Sequence, residues 1–204
     1  AFVVYLVART ITQKNAVLVS LTALIHGVSL GFAVLLIIES KVAPYPVWRP
    51  GPGEAAMLQA DPGALLLATM SLSLGLLVSI YSGKYLSLDH RYEDYYPLLL
   101  LLSAGIVGMV MAVDLFTLYM FTMLASAAAY VLVPFRRETE TAIEAGFKYV
   151  IMGSVGGILI LTGIGYLYRE TGTTSLPLEG FSLSLWGRLG VGLMIAGYGI
   201  KSAL

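Results

Sequence analysis

Two lysines stand inside otherwise apolar stretches of this sequence: Lys148 in GFKYVIMGSVGGILILTGIGYLY and Lys201 in GYGIKSAL. A charge at the centre of a bilayer costs about 2.5–3.5 kcal/mol on insertion scales, so such residues face a bundle interior or a hydrated cavity and mark ion pathways. Burial disfavours the charged form of a lysine and makes its proton exchangeable. That is the requirement of a proton relay. Glu140, Glu144 and Lys148 are spaced i, i+4, i+8 and share one helix face, so Glu144 can pair with Lys148. Lys148 then has two placements: a relay paired with Glu144, or a shallow residue that snorkels to the interface. Lys201 lies about sixteen residues into its apolar run and is flanked by Gly197, Gly199 and Ser202. Glycines beside a charge let a helix break or let water approach. The plainer placement is a helix that ends just beyond Leu204, with Lys201 at the interface.

The other polar candidates are weaker. His26, in ALIHGVSLGF, reads first as a packed, hydrogen-bonded helix residue and second as a proton-handling group. Asp114, in MAVDLF, falls between two apolar runs and reads as a helix N-cap or interface residue before a relay group. Asp61-Pro62 reads as a helix start. Gly157, Gly163 and Gly165 point to close helix packing. There is no phosphate loop, nucleophile triad or dinucleotide fingerprint. With Cys 0 and only His26 and His90, the chain offers no thiolate or iron–sulfur site, and neither a metal nor a redox cofactor is expected in it.

The elements that must hold these residues are membrane spans. Of 204 residues, 58% are hydrophobic and 12% charged, about half the usual charged share. Mean hydropathy is +0.85. Lys+Arg 12 against Asp+Glu 12 leaves no basic excess, so no nucleic acid is expected as a partner. A soluble domain of this size could not hide so much apolar surface. Apolar runs of spanning length cover Ala16–Ile38, Gly63–Leu86, Tyr95–Val113, Leu115–Val133, Ala142–Tyr168 and Leu185–Leu204. They lack the ten-residue alternation of a barrel. An all-α, polytopic helical bundle is expected. Ala1–Ala8 reads as the end of a further span, and both ends of the chain read as cut from a larger polypeptide. Arg9 and Lys14, Lys84 and Arg91, and Arg136 and Arg137 occupy alternate connections, which are expected on the cytoplasmic side. The opposite side then receives Glu39–Ala60, rich in Pro and Gly and expected as an ordered or extended loop and not a helix, and Arg169–Ser184.

The runs DLFTLYMFTMLASAAAYVLV, GFKYVIMGSVGGILILTGIGYLYRETGT and GYGIKSAL resemble, in order and spacing, the antiporter-like subunits of the complex I and Mrp antiporter superfamily. The flavour is that of the Mrp D-type subunit, also found in membrane-bound hydrogenases and sulfane reductases. The upstream segments DPGALLL and SIYSGKYL resemble the family's N-terminal region, so the likeness covers nearly the whole chain. It implies about fourteen helices in the full family fold, with two inverted five-helix bundles and broken helices carrying charge near the midplane. Residues 1–94 would then hold the first three helices, and 95–204 the first part of a proton-translocation bundle, helices four to seven. By position, Lys148 matches the family's sixth-helix lysine, and Lys201 the seventh-helix lysine in G-x-x-x-K-[SA]-A. The resemblance further implies other membrane subunits and the lipid bilayer as partners, H⁺ and in some members Na⁺ as the ion, and a prokaryotic inner membrane as the location. The function it implies is that of a non-redox subunit in a redox-driven pump. A stand-alone Na⁺/H⁺ antiporter subunit, or a structural subunit with a disabled path, are the alternatives.

One position departs from the family. Its fifth helix carries a glutamate that pairs with the seventh-helix lysine, and Met123 stands there in this sequence. A thioether neither carries charge nor passes a proton. Asp114 lies nine residues earlier, about 180° around the helix at 100° per residue. The expectation is therefore a lysine that has lost its carboxylate and either rests neutral or finds another partner, with Glu144 compensating in part through Lys148 on another helix.

Overall fold

The computed structural model describes residues 15–39, 45–48, 56–86, 92–135, 140–176 and 184–202. Ala1–Ala8, Arg9, Lys14, His90, Arg91, Arg136 and Arg137 lie outside the described residues. Six helices are present among those described: α1 (Asn15–Glu39), α2 (Pro62–Tyr85), α3 (Tyr92–Met111), α4 (Leu115–Leu132), α5 (Glu140–Thr171) and α6 (Leu185–Lys201). The chain folds as a polytopic helical membrane bundle. Five of the helices are long and apolar enough to cross a membrane, and α6 has 17 residues. Their outward faces carry Leu24, Phe32, Leu74, Tyr81 and Phe147, all exposed. Apolar side chains turned outward are what a lipid solvent selects, because lipid tails leave burial no hydrophobic reward.

Consecutive helices pack side by side. The α1–α3 group shares a core of Leu18, Tyr96 and Leu100. A second core joins α4, α5 and α6 through Leu115, Ile160, Ile164 and Leu167. The α3 and α4 helices link the two groups. The α2 helix opens at Pro62 behind Asp61, as the sequence suggests, with the ring at a position whose amide has no helical partner. The α5 helix runs 32 residues, several more than its apolar run, because Glu140 and Thr171 extend it at both ends. It stops at Gly172, whose φ of 69° admits glycine readily, and whose amide returns to Tyr168 O at 2.8 Å.

The Glu39–Ala60 connection holds a short hairpin among its described residues. Its β1 (Tyr45–Trp48) and β2 (Leu58–Ala60) pair antiparallel, with Tyr45 opposite Ala60. Strands this short leave little alternation to read. The β2 strand bridges Ala112, and Val113 N donates to Met57 O at 3.1 Å. Asp114 in turn bridges Ser175, Leu115 N donates to Thr174 O at 2.8 Å, and Leu176 N donates to Val113 O at 3.0 Å. The hairpin, the α3–α4 junction and the exit of α5 are thus stitched together at one end of the bundle. These are the connections that charge placement assigns to a common side.

Asp114 is the centre of that stitching. It is buried, and its Oδ1 accepts from Phe116 N at 3.0 Å and Thr117 N at 2.9 Å, capping α4. Losing such a cap costs about 1–2 kcal/mol. Asp114→Ala is expected to lower the unfolding free energy of the chain in detergent by that amount, read from its denaturant midpoint.

Candidate functional site

The site is built where α4, α5 and α6 meet. Two pairs of glycines bring α5 and α6 to backbone contact. A β-carbon on Gly163 would stand 2.5 Å from Gly190 O, and one on Gly190 would stand 2.9 Å from Gly163 O. Likewise Gly156 faces Gly197 O at 2.9 Å, and Gly197 faces Gly156 O at 2.6 Å. Small residues at membrane helix crossings permit this approach. Of the glycines that stand out in sequence, Gly163 takes part, Gly157 faces Met123 instead, and Gly165 meets nothing within 4 Å. Three glycines on α5 also make room for side chains from its neighbours. Gly153 leaves space for the Tyr130 hydroxyl, Gly156 for the stem of Lys201, and Gly157 for the Met123 sulfur.

Lys201 is the last residue of α6 and is partly buried, with its head group turned to α4. Its Nζ donates to Ser126 Oγ at 2.8 Å and to Tyr130 Oη at 3.4 Å, and lies 5.8 Å from the Tyr130 ring centre. Ser126 already donates its own proton to Thr122 O at 2.7 Å. Its lone pairs therefore face the lysine, an arrangement that suits a cation. The aromatic face of Tyr130 adds a weak attraction of the same sign. Among the described residues no carboxylate forms an ion pair with Lys201. Two hydroxyls take the head group instead: Ser126 and Tyr130 follow Met123 at i+3 and i+7 on one face of α4.

Depth separates the two lysines. A β-carbon on Gly156 would stand 3.3 Å from Lys201 Cγ. Gly156 is 16 residues from Glu140 and 15 from Thr171, the middle of α5 (156 − 140 and 171 − 156). The stem of Lys201 thus crosses α5 at its midpoint. Lys148 lies eight residues from Glu140 (148 − 140), about 12 Å along the helix. An upright helix of 32 residues is about 48 Å long and overruns an apolar core of about 30 Å by roughly 9 Å at each end. Lys148 is therefore within a few ångströms of the core edge. It pairs with Glu144, Nζ to Oε1 2.5 Å, with side chains 71% and 64% exposed. This is an open ion pair near the end of the helix. Both lysines nevertheless line one cavity of about 370 Å³, together with Ser126, Tyr130, Tyr149 and Gly153.

The weaker candidates lie elsewhere. His26 is fully buried among α1, α2 and α3, and Asp114 is committed to the cap of α4. The residues that sequence reading missed are Ser126, Tyr130, Gly153 and Gly156. The i, i+3, i+7 register through Met123 was the available signal for the first two.

Residues 112–204 match the family described as NADH:quinone oxidoreductase/Mrp antiporter, TM. The chain belongs to the antiporter-like membrane subunits of the complex I/Mrp superfamily. Among curated relatives of these antiporter-like subunits, it is similar to F(420)H(2) dehydrogenase subunit N of Methanosarcina mazei. That match is 36% identical over 138 residues, 65% of this chain and 28% of the relative. The NADH-quinone oxidoreductase subunit N of Desulforudis audaxviator is 34% identical over 157 residues, 72% of this chain and 30% of the relative. The chain thus spans about a third or less of the length of these two. Its fold is shared with a chain of the archaeal membrane-bound sulfane sulfur reductase, TM-score 0.81 at 22% identity, over 97% of this chain and 41% of the other.

Proposed function

We propose that this antiporter-like chain conducts protons through Lys201, as a non-redox part of a redox-driven ion pump in a prokaryotic inner membrane. The observation that carries the proposal is the position of Lys201. Its stem crosses the middle of α5, and its head group is held by neutral hydroxyls on a cavity that also reaches Lys148. An ammonium held by Ser126 and Tyr130 has no ion pair to break before it gives up its proton. The shallow Glu144–Lys148 pair lies between that cavity and the end of α5 and is the natural lateral exchange partner. In this reading residues 1–94 support the bundle that begins at 95. The positively charged connections face the cytoplasm, and partner membrane subunits supply the electron transfer. The names of the relatives, a dehydrogenase and a quinone oxidoreductase, support a redox-driven complex. The family name supports an Mrp-type Na⁺/H⁺ antiporter equally in its second half, and Na⁺ belongs to that branch.

Met123 favours a second reading, in which this half of the path is altered and the chain is structural. The test is redox-driven acidification of liposomes holding the assembled complex, with Lys201→Ala and Lys148→Ala introduced separately. Loss of pumping with normal assembly in Lys201→Ala supports a relay. Undiminished pumping in both variants rejects it in favour of the structural reading. Restoring the acid as Met123→Glu adds a third arm: it places a carboxylate one turn from Ser126, and on the relay reading the rate changes only while Lys201 is present.

A further inference from the structure

Away from the lysine site, a cavity of about 410 Å³ lies between α1 and α3, with α2 as its floor. Its shape follows from how the three helices pack. The α1 helix meets α3 through Leu18, Tyr96 and Leu100. Past that contact the two helices leave a crevice, which runs along α1 from Ile25 to Leu36, about 16 Å (36 − 25 residues). Leu65 and Ala68 of α2 close the floor at 0% exposure, whereas Phe32 on the rim is 63% exposed and Ala104, on α3, is exposed as well. The crevice therefore opens to the lipid side of the bundle. A membrane helix seated along it would fill about 1,300 Å³ or more, roughly three times the space. The volume is instead that of a small-molecule site, about 300–1,000 Å³.

The walls carry no acid, lysine or arginine among the described residues, so a charged head group would find no counter-ion there. The polar side chains are His26, Ser29 and Ser103. They gather near the middle of α1, since His26 lies 11 residues from Asn15 and 13 from Glu39 (26 − 15 and 39 − 26). His26 is already bonded to Thr22 O and Ser103 Oγ, at 2.9 and 3.0 Å. Ser29 differs from the other hydroxyls of the spans. Ser73, Ser79, Thr122 and Ser126 each donate to the carbonyl four residues before them, and Ser29 makes no hydrogen bond among the described residues. Its hydroxyl is an unused donor on an apolar wall.

We propose that this crevice binds a neutral, membrane-dissolved molecule that presents a carbonyl oxygen to Ser29 from an apolar body. Two sources offer that chemistry: the ring of a lipoquinone, and the ester of an uncharged glyceride. A phospholipid does not. Its ester and head group sit in the interfacial region, and only tail methylenes reach the middle of a span. The few polar groups orient the ligand and the apolar walls hold it, the usual division of labour in such sites.

The test needs no ion transport, so it stands or falls apart from the Lys201 proposal. The probe is a decyl-tailed quinone with an azide on its ring, photolysed with the full chain in phosphatidylcholine nanodiscs and mapped by peptide mass spectrometry. Label is expected beside the crevice, at Ser29, Phe32 and Ala104. Ala104→Phe plants a ring in the mouth from an exposed position and is expected to remove that label. Ser29→Ala keeps the shape and is expected to raise the half-saturating probe concentration about fivefold, the weight of one neutral hydrogen bond. Label spread over the outward faces at Leu24, Leu74 and Phe147, or unmoved by both variants, is partition into lipid and overturns the proposal. Competition separates the two sources. Displacement by unlabelled quinone alone assigns a lipoquinone, displacement by dioleoylglycerol assigns the glyceride ester, and displacement by neither overturns the site.

Discussion

Lys201→Ala is expected to reduce ion translocation by about a hundredfold, the scale of losing a positioned proton-transfer group, with the complex still assembled. Alanine leaves Ser126 and Tyr130 facing an empty part of the cavity, and neither hydroxyl replaces a group that holds and releases a full positive charge. The informative companion is Lys201→Arg. A guanidinium keeps the charge and can donate to both hydroxyls, but it does not release its proton in a protein. If proton exchange is the requirement, Lys201→Arg assembles normally and is as inactive as Lys201→Ala. If charge alone suffices, it retains activity and the relay proposal fails. Lys148→Ala is expected to have a smaller effect, because its pair with Glu144 is open and close to the core edge. Exposed pairs of this kind are worth about 0–1 kcal/mol. Initial rates of acidification in proteoliposomes separate the three variants.

The second large effect is structural. Gly163→Val places a β-carbon 2.5 Å from Gly190 O and 2.6 Å from Met194 Cγ. A backbone oxygen cannot be moved aside as a flexible side chain can, so α5 and α6 must separate. The cost is expected at or above the upper end of the range for overpacking, about 3 kcal/mol. The read-out is a lower midpoint of thermal unfolding in detergent and reduced recovery of the complex. Gly165→Val is the control. Its β-carbon meets nothing within 4 Å, so it is expected to fold like the parent. Equal stability of the two variants would show that the glycine contacts do not hold the crossing.

Much of this fold is legible in the apolar runs, because a bilayer demands long uninterrupted helices and the charges that interrupt them are few. The start of α2 at Asp61-Pro62 and the cap at Asp114 follow from local chemistry, since both depend on residues adjacent in sequence. The hairpin does not. Its strands have four and three residues, and its pairing is set by the α3–α4 junction far along the chain. The partners of Lys201 were equally hidden, because Ser126 and Tyr130 are 75 and 71 residues away. What the family resemblance could suggest was an acid replaced by Met123. The structure adds that Met123 packs on Gly157 and that the next turns of α4 supply hydroxyls. The glycines were visible as a set, but the crossing uses Gly156, Gly163, Gly190 and Gly197. Choosing among them requires knowing which face of α5 meets α6.

The two glycine contacts are spaced alike on both helices, Gly156 to Gly163 and Gly190 to Gly197, seven residues in each case (163 − 156 and 197 − 190). Two backbone-to-backbone rivets about 10 Å apart leave α5 and α6 unable to pivot or slide past each other without breaking one. The pair therefore acts as a single rigid strut. Lys201 follows one rivet by four residues, so its root is held close to α5. Any switching of its partners has to come from its own flexible stem or from a shift of α4, which is joined to the strut by side chains alone at this depth.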